Sequence, residues 1–97
     1  IGLESGYLNF DGDSNVFIGN QAGYNETGSS LLYIDNSDTD EPLIYGDFAT
    51  DKVTINDVLI LAPRTTAPAN PVEGELYVNS VNHHIFCYLN SVWVQLD

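Results

Sequence analysis

The pattern Ile-Gly-x-x-x-Gly-Tyr occurs twice near the start of the chain, as IGLESGY over residues 1–7 and as IGNQAGY over residues 18–24. A shift of 17 residues returns Ile1, Gly2, Gly6 and Tyr7 as Ile18, Gly19, Gly23 and Tyr24. A third, degraded copy begins in LLYIDNSD, where Ile34 stands 16 residues after Ile18. So short a period has no room for a pair of packed helices. It fits one coil of a stacked β-structure, in which a brief strand, a glycine corner and a return segment lie on the next copy. Gly19 and Gly23 fall where such a coil needs positive φ or a tight corner. Short β-solenoid or β-roll coils are therefore expected over residues 1–42.

Beyond the repeat, short apolar runs alternate with turn chemistry, the mark of an all-β chain. PLIY ends at Gly46-Asp47, and KVTI runs into Asn56-Asp57 and then VLILA, so hairpins are predicted over residues 43–62. Pro63, Pro68 and Pro71 lie within nine residues. Each proline fixes φ and removes a donor, which predicts an extended, unpaired linker over 63–73 and a module boundary there. Residues 74–97 read as a small meander with strands near 75–79, 84–89 and 92–96 and turns at SVNH and NS. No segment sustains apolar spacing at 3.6 residues, so helix is not expected.

Fourteen acidic residues against Lys52 and Arg64 give a net charge of −12. That balance repels phosphate backbones and anionic bilayers, which argues against nucleic acid as a partner. No apolar run approaches the roughly 18 residues of a membrane span, so membrane insertion is not expected either. Aromatic and β-branched residues are too plentiful for a disordered acidic tail. The single Cys87 excludes an intrachain disulfide and a multi-cysteine zinc site. A first residue of Ile1 and the lack of any Met are expected of a processed chain or of part of a longer one.

Half-buried strands alternate apolar and polar, because successive side chains face opposite sides of a sheet. Here both faces are apolar. Val16 and Ile18 oppose Phe17, Leu32 and Ile34 oppose Leu31 and Tyr33, and the run with Leu59 and Leu61 and the run with Ile85 and Cys87 are apolar on both sides. A chain of 97 residues buries only about two-thirds of its unfolded surface and cannot cover so many two-sided strands alone. Self-association supplies the missing cover, with identical neighbours packed around a symmetry axis. Val16, Phe17, Ile18, Leu32, Ile34, Leu59, Leu61, Ile85 and Cys87 are the expected packing residues, and an intertwined homotrimeric fibre is the expected assembly.

SNVFIGNQAGYNETGS resembles the head repeat of trimeric autotransporter adhesins, with its Ser-Asn, short apolar strand and Ile-Gly. LLYIDNSDTDEPLIYGDFATDKVTIND is similar to segments that follow such repeats in bacterial surface and phage-fibre proteins. PANPVEGELYVNSVNHHIFCYLNSVWVQL resembles the small terminal module of phage tail fibres. The resemblance implies a homotrimeric, mainly β fibre outside the cell, on a virion tail or a bacterial surface. It implies a tip that attaches to a cell-surface glycan or protein receptor, other fibre or baseplate subunits as further partners, and no enzymatic activity. A glycan-degrading spike and a purely structural connector are the alternatives.

Several groups carry candidate chemistry. Asp11 and Asp13, with Asn15, place oxygen ligands at alternate positions as a calcium loop does, but Val16 and Ala22 stand where a helix-loop-helix site needs Gly and Glu. A calcium site of another type and a polar turn are the two readings. His83 and His84 form the only histidine pair; one from each of three chains could converge on an axis and hold a transition metal, or the pair is a turn. No resident cofactor is otherwise implied. Tyr77, Tyr88 and Trp93 could form a sugar-stacking platform, or Trp93 could anchor the core of the meander. Cys87 reads as a small buried hydrophobe, because nothing near it in sequence supplies a base.

Overall fold

The computed structural model describes residues 1–97 and contains seven short strands in two sheets, with no helix and no closed barrel. The chain divides into two compact units, Ile1–Leu59 and Ile60–Asp97.

In the first unit, β1 (Val16–Ile18), β2 (Leu31–Ile34), β3 (Ile44–Asp47) and β4 (Lys52–Ile55) form one sheet in that order. The sequence repeat is a spatial repeat. Gly19 and Gln21 donate their backbone N–H groups to the carbonyls of Ile1 and Leu3, and Gly6 and Leu8 donate to those of Ala22 and Tyr24. These bonds alternate between two turn-rich segments offset by 17 residues, neither of which is a β-strand. The backbone repeats with them: φ is 54° at Glu4 and 58° at Gln21, 64° at Gly6 and 65° at Gly23. The next step is shorter by one residue, since β1 pairs with β2 in parallel with Val16 opposite Leu32 and Ile18 opposite Ile34.

Phe17 shows why glycine recurs at this spacing. A Cβ at Gly6 would lie 2.6 Å from Cδ2 of the Phe17 ring, and one at Gly23 would lie 2.5 Å from Cδ1. The ring is thus wedged by its two edges between the equivalent glycines of successive repeats. Tyr7 and Tyr24 stack with centroids 4.9 Å apart, and Gln21 donates to Glu4 across the same step at 2.8 Å. Asn9 donates to the carbonyls of Glu26 and Gly28, while Asn15 accepts from the N–H of Leu31 and donates to Gly28. These amides satisfy backbone groups that a short, irregular stack would otherwise leave without partners.

The acidic stretch 35–41 replaces the glycine motif in the third position. One Asp35 carboxylate oxygen accepts from the Asn36 N–H and the Ser37 hydroxyl, the other from the Leu43 N–H. Those bonds, the Leu43 N–H foremost, hold the carboxyl below its ordinary pKa. They turn the chain so that β3 returns antiparallel to β2, after which Pro42 is fully buried.

The hairpin in this region differs from the expected one. β4 pairs back with β3, and the turn is at 48–51, with Asp51 at φ 56°. Gly46 and Asp47 lie inside β3 rather than in a turn, and Val58–Leu61 forms no strand. The reason lies in Asn56, whose N–H bonds the Leu43 carbonyl and whose amide bonds the Pro42 carbonyl. It closes the β3–β4 pair instead of opening a new turn.

The second unit is an antiparallel meander of β5 (Leu76–Val78), β6 (Ile85–Leu89) and β7 (Val92–Gln95), within a residue of the expected strands. Asn90 and Ser91 have φ of 51° and 64°, the two positive values that a two-residue hairpin turn needs. The proline segment forms no strand, but it is neither straight nor wholly unpaired: it bends at 65–66 and 69–70, with Asn70 at φ 52°, and Arg64 bridges in parallel to Asn79, donating to Val78 and accepting from Ser80.

Candidate functional site

The register of the first sheet places side chains of one row on one face. Val16, Leu32, Gly46 and Val53 form one row, and Ile18, Ile34, Ile44 and Ile55 form the next row on the same side. Between them, on the opposite side, run Phe17, Tyr33, Tyr45 and Thr54. The aromatic side is the inner one. Tyr33 is 5% exposed and meets Phe17 and Tyr45 edge-on at 5.5 and 5.6 Å. The aliphatic side is the outer one, with Val16, Ile18 and Val53 exposed. Eight positions in two rows therefore carry seven β-branched or leucine side chains, one glycine and no charge.

Gly46 shapes this face. A Cβ there would fall 2.8 Å from Cβ of Leu32, and its absence leaves a recess lined by Leu32, Phe48 and Val53 together with Asp47, Asp51 and Lys52 at its edge. A second recess is lined by Ile18, Ile34 and Leu43 together with Gly19, Asp35 and Asn36. Sheets with one solvated face commonly carry polar residues on it. This one does not, and its contiguity distinguishes it from scattered exposed apolar residues.

Beneath the sheet, the Tyr33 hydroxyl donates to Glu26 Oε1 at 2.6 Å, and Glu26 Oε2 accepts from the Gly28 N–H at 2.8 Å. Burial, and then the adjacent Glu26 carboxylate, push the Tyr33 hydroxyl above its ordinary pKa of 10. The fold therefore favours the protonated phenol. Its contribution is full below pH 10 and is lost as pH rises through the higher folded value. Thermal melts should show stability falling above about pH 10 in the wild type, with a shallower fall in Tyr33→Phe. That variant should also lose about 1 kcal/mol at neutral pH, because Glu26 Oε1 loses its donor while Oε2 keeps the Gly28 N–H.

The other candidate residues are placed as follows. Tyr77, Tyr88 and Trp93 do gather on one face of the meander, with Tyr77 and Tyr88 edge-on to Trp93 at 4.8 and 5.1 Å. Tyr77 is 7% exposed and also stacks on Phe86, so much of this cluster is packed against itself. His83 and His84 sit in the turn before β6, with His83 at φ 61°. His84 Nδ1 lies 3.1 Å from Asp97 Oδ2, and the His84 contact is the first cause holding the Asp97 carboxyl below its ordinary pKa. Asp13 is tied into the stack by its backbone, its N–H donating to Ser29 Oγ and its carbonyl accepting from Ser30, while Asp11 is exposed. No three His, Cys, Asp or Glu side chains converge as a metal site would require. Leu59 is exposed, Leu61 is half-buried, and Ile85 and Cys87 share the aliphatic side of the meander.

Sequence reasoning did not single out Ile44, Val53 and Ile55. Their signal was present as alternation within LIY and KVTI, but only the β3–β4 pairing puts them in line with the repeat strands. No known family, curated protein or solved structure matches this chain.

Proposed function

We propose that this chain is a subunit of a homotrimeric β-fibre, a phage tail fibre or a bacterial surface adhesin, in which it builds the shaft and presents an attachment tip to a cell-surface glycan or protein. In this reading the repeats are coils of a short β-solenoid, and three copies close their aliphatic sheet faces on a common axis outside the cell. The observation that carries the reading is the uncharged outer face of the four-stranded sheet. A chain with net charge −12 repels its own copies through its acidic surface, which favours association through a row of side chains free of carboxylates. Burying each half-exposed Val or Ile on that face contributes about 1 kcal/mol, and three copies multiply it.

Sedimentation at micromolar concentration tests the assembly. The expected species has three times the 10.6 kDa mass of the chain and gains stability with salt, which screens the repulsion between copies. A well-ordered single subunit under the same conditions would overturn the reading. For attachment, the trimer is expected to bind cells or surface glycans and release no product.

A further inference from the structure

Where the first unit gives way to the second, the chain runs as Asp-Val-Leu-Ile-Leu-Ala-Pro over residues 57–63. The strand expected here does not form, and none of these residues donates or accepts a backbone hydrogen bond. The side chains are free as well: Val58 is 74%, Leu59 65% and Ile60 81% exposed. An endopeptidase takes its substrate as an extended strand, through main-chain hydrogen bonds and pockets for alternate side chains. Chain already bonded into a sheet has nothing left to offer it. Exposed connections without internal bonds are accordingly where folded proteins are nicked.

We infer that residues 57–63 are an endoproteolytic processing site for an endopeptidase with aliphatic pockets, at which water adds across one peptide bond between Asp57 and Leu61 and severs the second unit from the first. The chemistry of the segment selects the enzyme class. Its aliphatic side chains gain by leaving water for an apolar pocket. Pro63 closes the window, because a proline ring removes the amide donor. Enzymes that cut after basic residues are excluded by the same reasoning. The chain has two such residues, Lys52 and Arg64. Lys52 is paired with Asp47 in the β3–β4 ladder, and Arg64 donates its N–H to Val78 and accepts from Ser80 at its carbonyl. Two other connections fail as well. Residues 65–71 are bent and include Pro68 and Pro71, and residues 35–41 carry four carboxylates, which an aliphatic pocket rejects.

Limited proteolysis of the full chain tests this. The folded protein is given to thermolysin, which cuts before aliphatic residues, and in parallel to trypsin, and the fragment ends are read by mass spectrometry. Thermolysin is expected to cut first between Asp57 and Leu61, at least about tenfold faster than at any aliphatic residue of β1–β7, since those bonds are reached only when a sheet opens. Trypsin is expected to leave the chain whole over the same period. First cuts inside a strand, or trypsin cleavage after Arg64 at the thermolysin rate, overturn the inference. As a second readout, the amides of Val58–Leu61 should exchange hydrogen as an unstructured peptide does while those of β2 and β3 are protected. Protection of the Val58–Leu61 amides overturns the inference too. A trimer that shields the segment gives that result and leaves the fibre reading standing, whereas a single subunit cut at this place sinks the fibre reading and keeps the processing site.

Discussion

Gly23→Ala is expected to cost about 2–4 kcal/mol, a large share of the stability of a unit this small. Two penalties add. The φ of 65° lies in the left-handed region, where a Cβ costs about 1 kcal/mol. The new methyl would also lie 2.5–2.8 Å from three atoms of the Phe17 ring, which Gly6 blocks from behind. Overpacking of that kind typically costs about 1–3 kcal/mol. Gly74→Ala is the control, since it has φ of 92° but no atom within 4 Å of the added Cβ, so only the backbone penalty applies. Denaturant titration of both variants separates the terms. Combining Gly23→Ala with Phe17→Leu should recover part of the loss, because the smaller side chain frees the space. Equal losses for Gly23→Ala and Gly74→Ala would mean that the wedge around Phe17 is not a packing constraint.

Val16→Asp and Val53→Asp, at the two ends of one outer row, are expected to abolish assembly while leaving the subunit folded. Val53 is 68% exposed and Val16 40%, so either carboxylate remains solvated in a lone subunit. In the proposed trimer the same substitution buries three like charges close together. Several kcal/mol of uncompensated desolvation then falls on association, and about 4 kcal/mol corresponds to about a thousandfold weaker binding. Sedimentation should report single subunits, and far-UV circular dichroism should retain the β signature. If both variants sediment as the wild type does, the aliphatic face is not the contact.

The aromatic cluster of the meander bears on attachment in a different way. Tyr77 is committed to stacking on Phe86 and to an edge contact with Trp93, so its ring face is not free for a sugar. In the proposed fibre, the polar groups left for an attachment contact at this end are His84, Gln95 and Asp97, which form a hydrogen-bonded group.

How much of this was legible beforehand varies with the range of the interaction involved. The repeat of Ile-Gly-x-x-x-Gly-Tyr predicted the parallel stack and its offset, because equivalent residues in adjacent copies must meet the same neighbours. The alternation in VFI, LLYI and IFCYL predicted which side chains share a face, since the pleat leaves no choice once a strand forms. Asn90-Ser91 predicted its turn through the local steric demand for positive φ.

The hairpin was decided at longer range. KVTI lies between two apolar runs, LIY and VLILA, and both are credible partners by composition. Selection of the first depends on Asn56 reaching back to Pro42 and Leu43, and on Asp35 turning the chain 8 residues before Leu43. The sequence by itself thus determined the β class, the repeat offset and the two-sidedness of the strands, all consequences of local stereochemistry. Only the tertiary structure decided that four strands align their aliphatic rows into one uncharged face and that Glu26 meets Tyr33, because those outcomes depend on which distant segments pair, and pairing is a choice among near-equal alternatives that only the assembled contacts resolve.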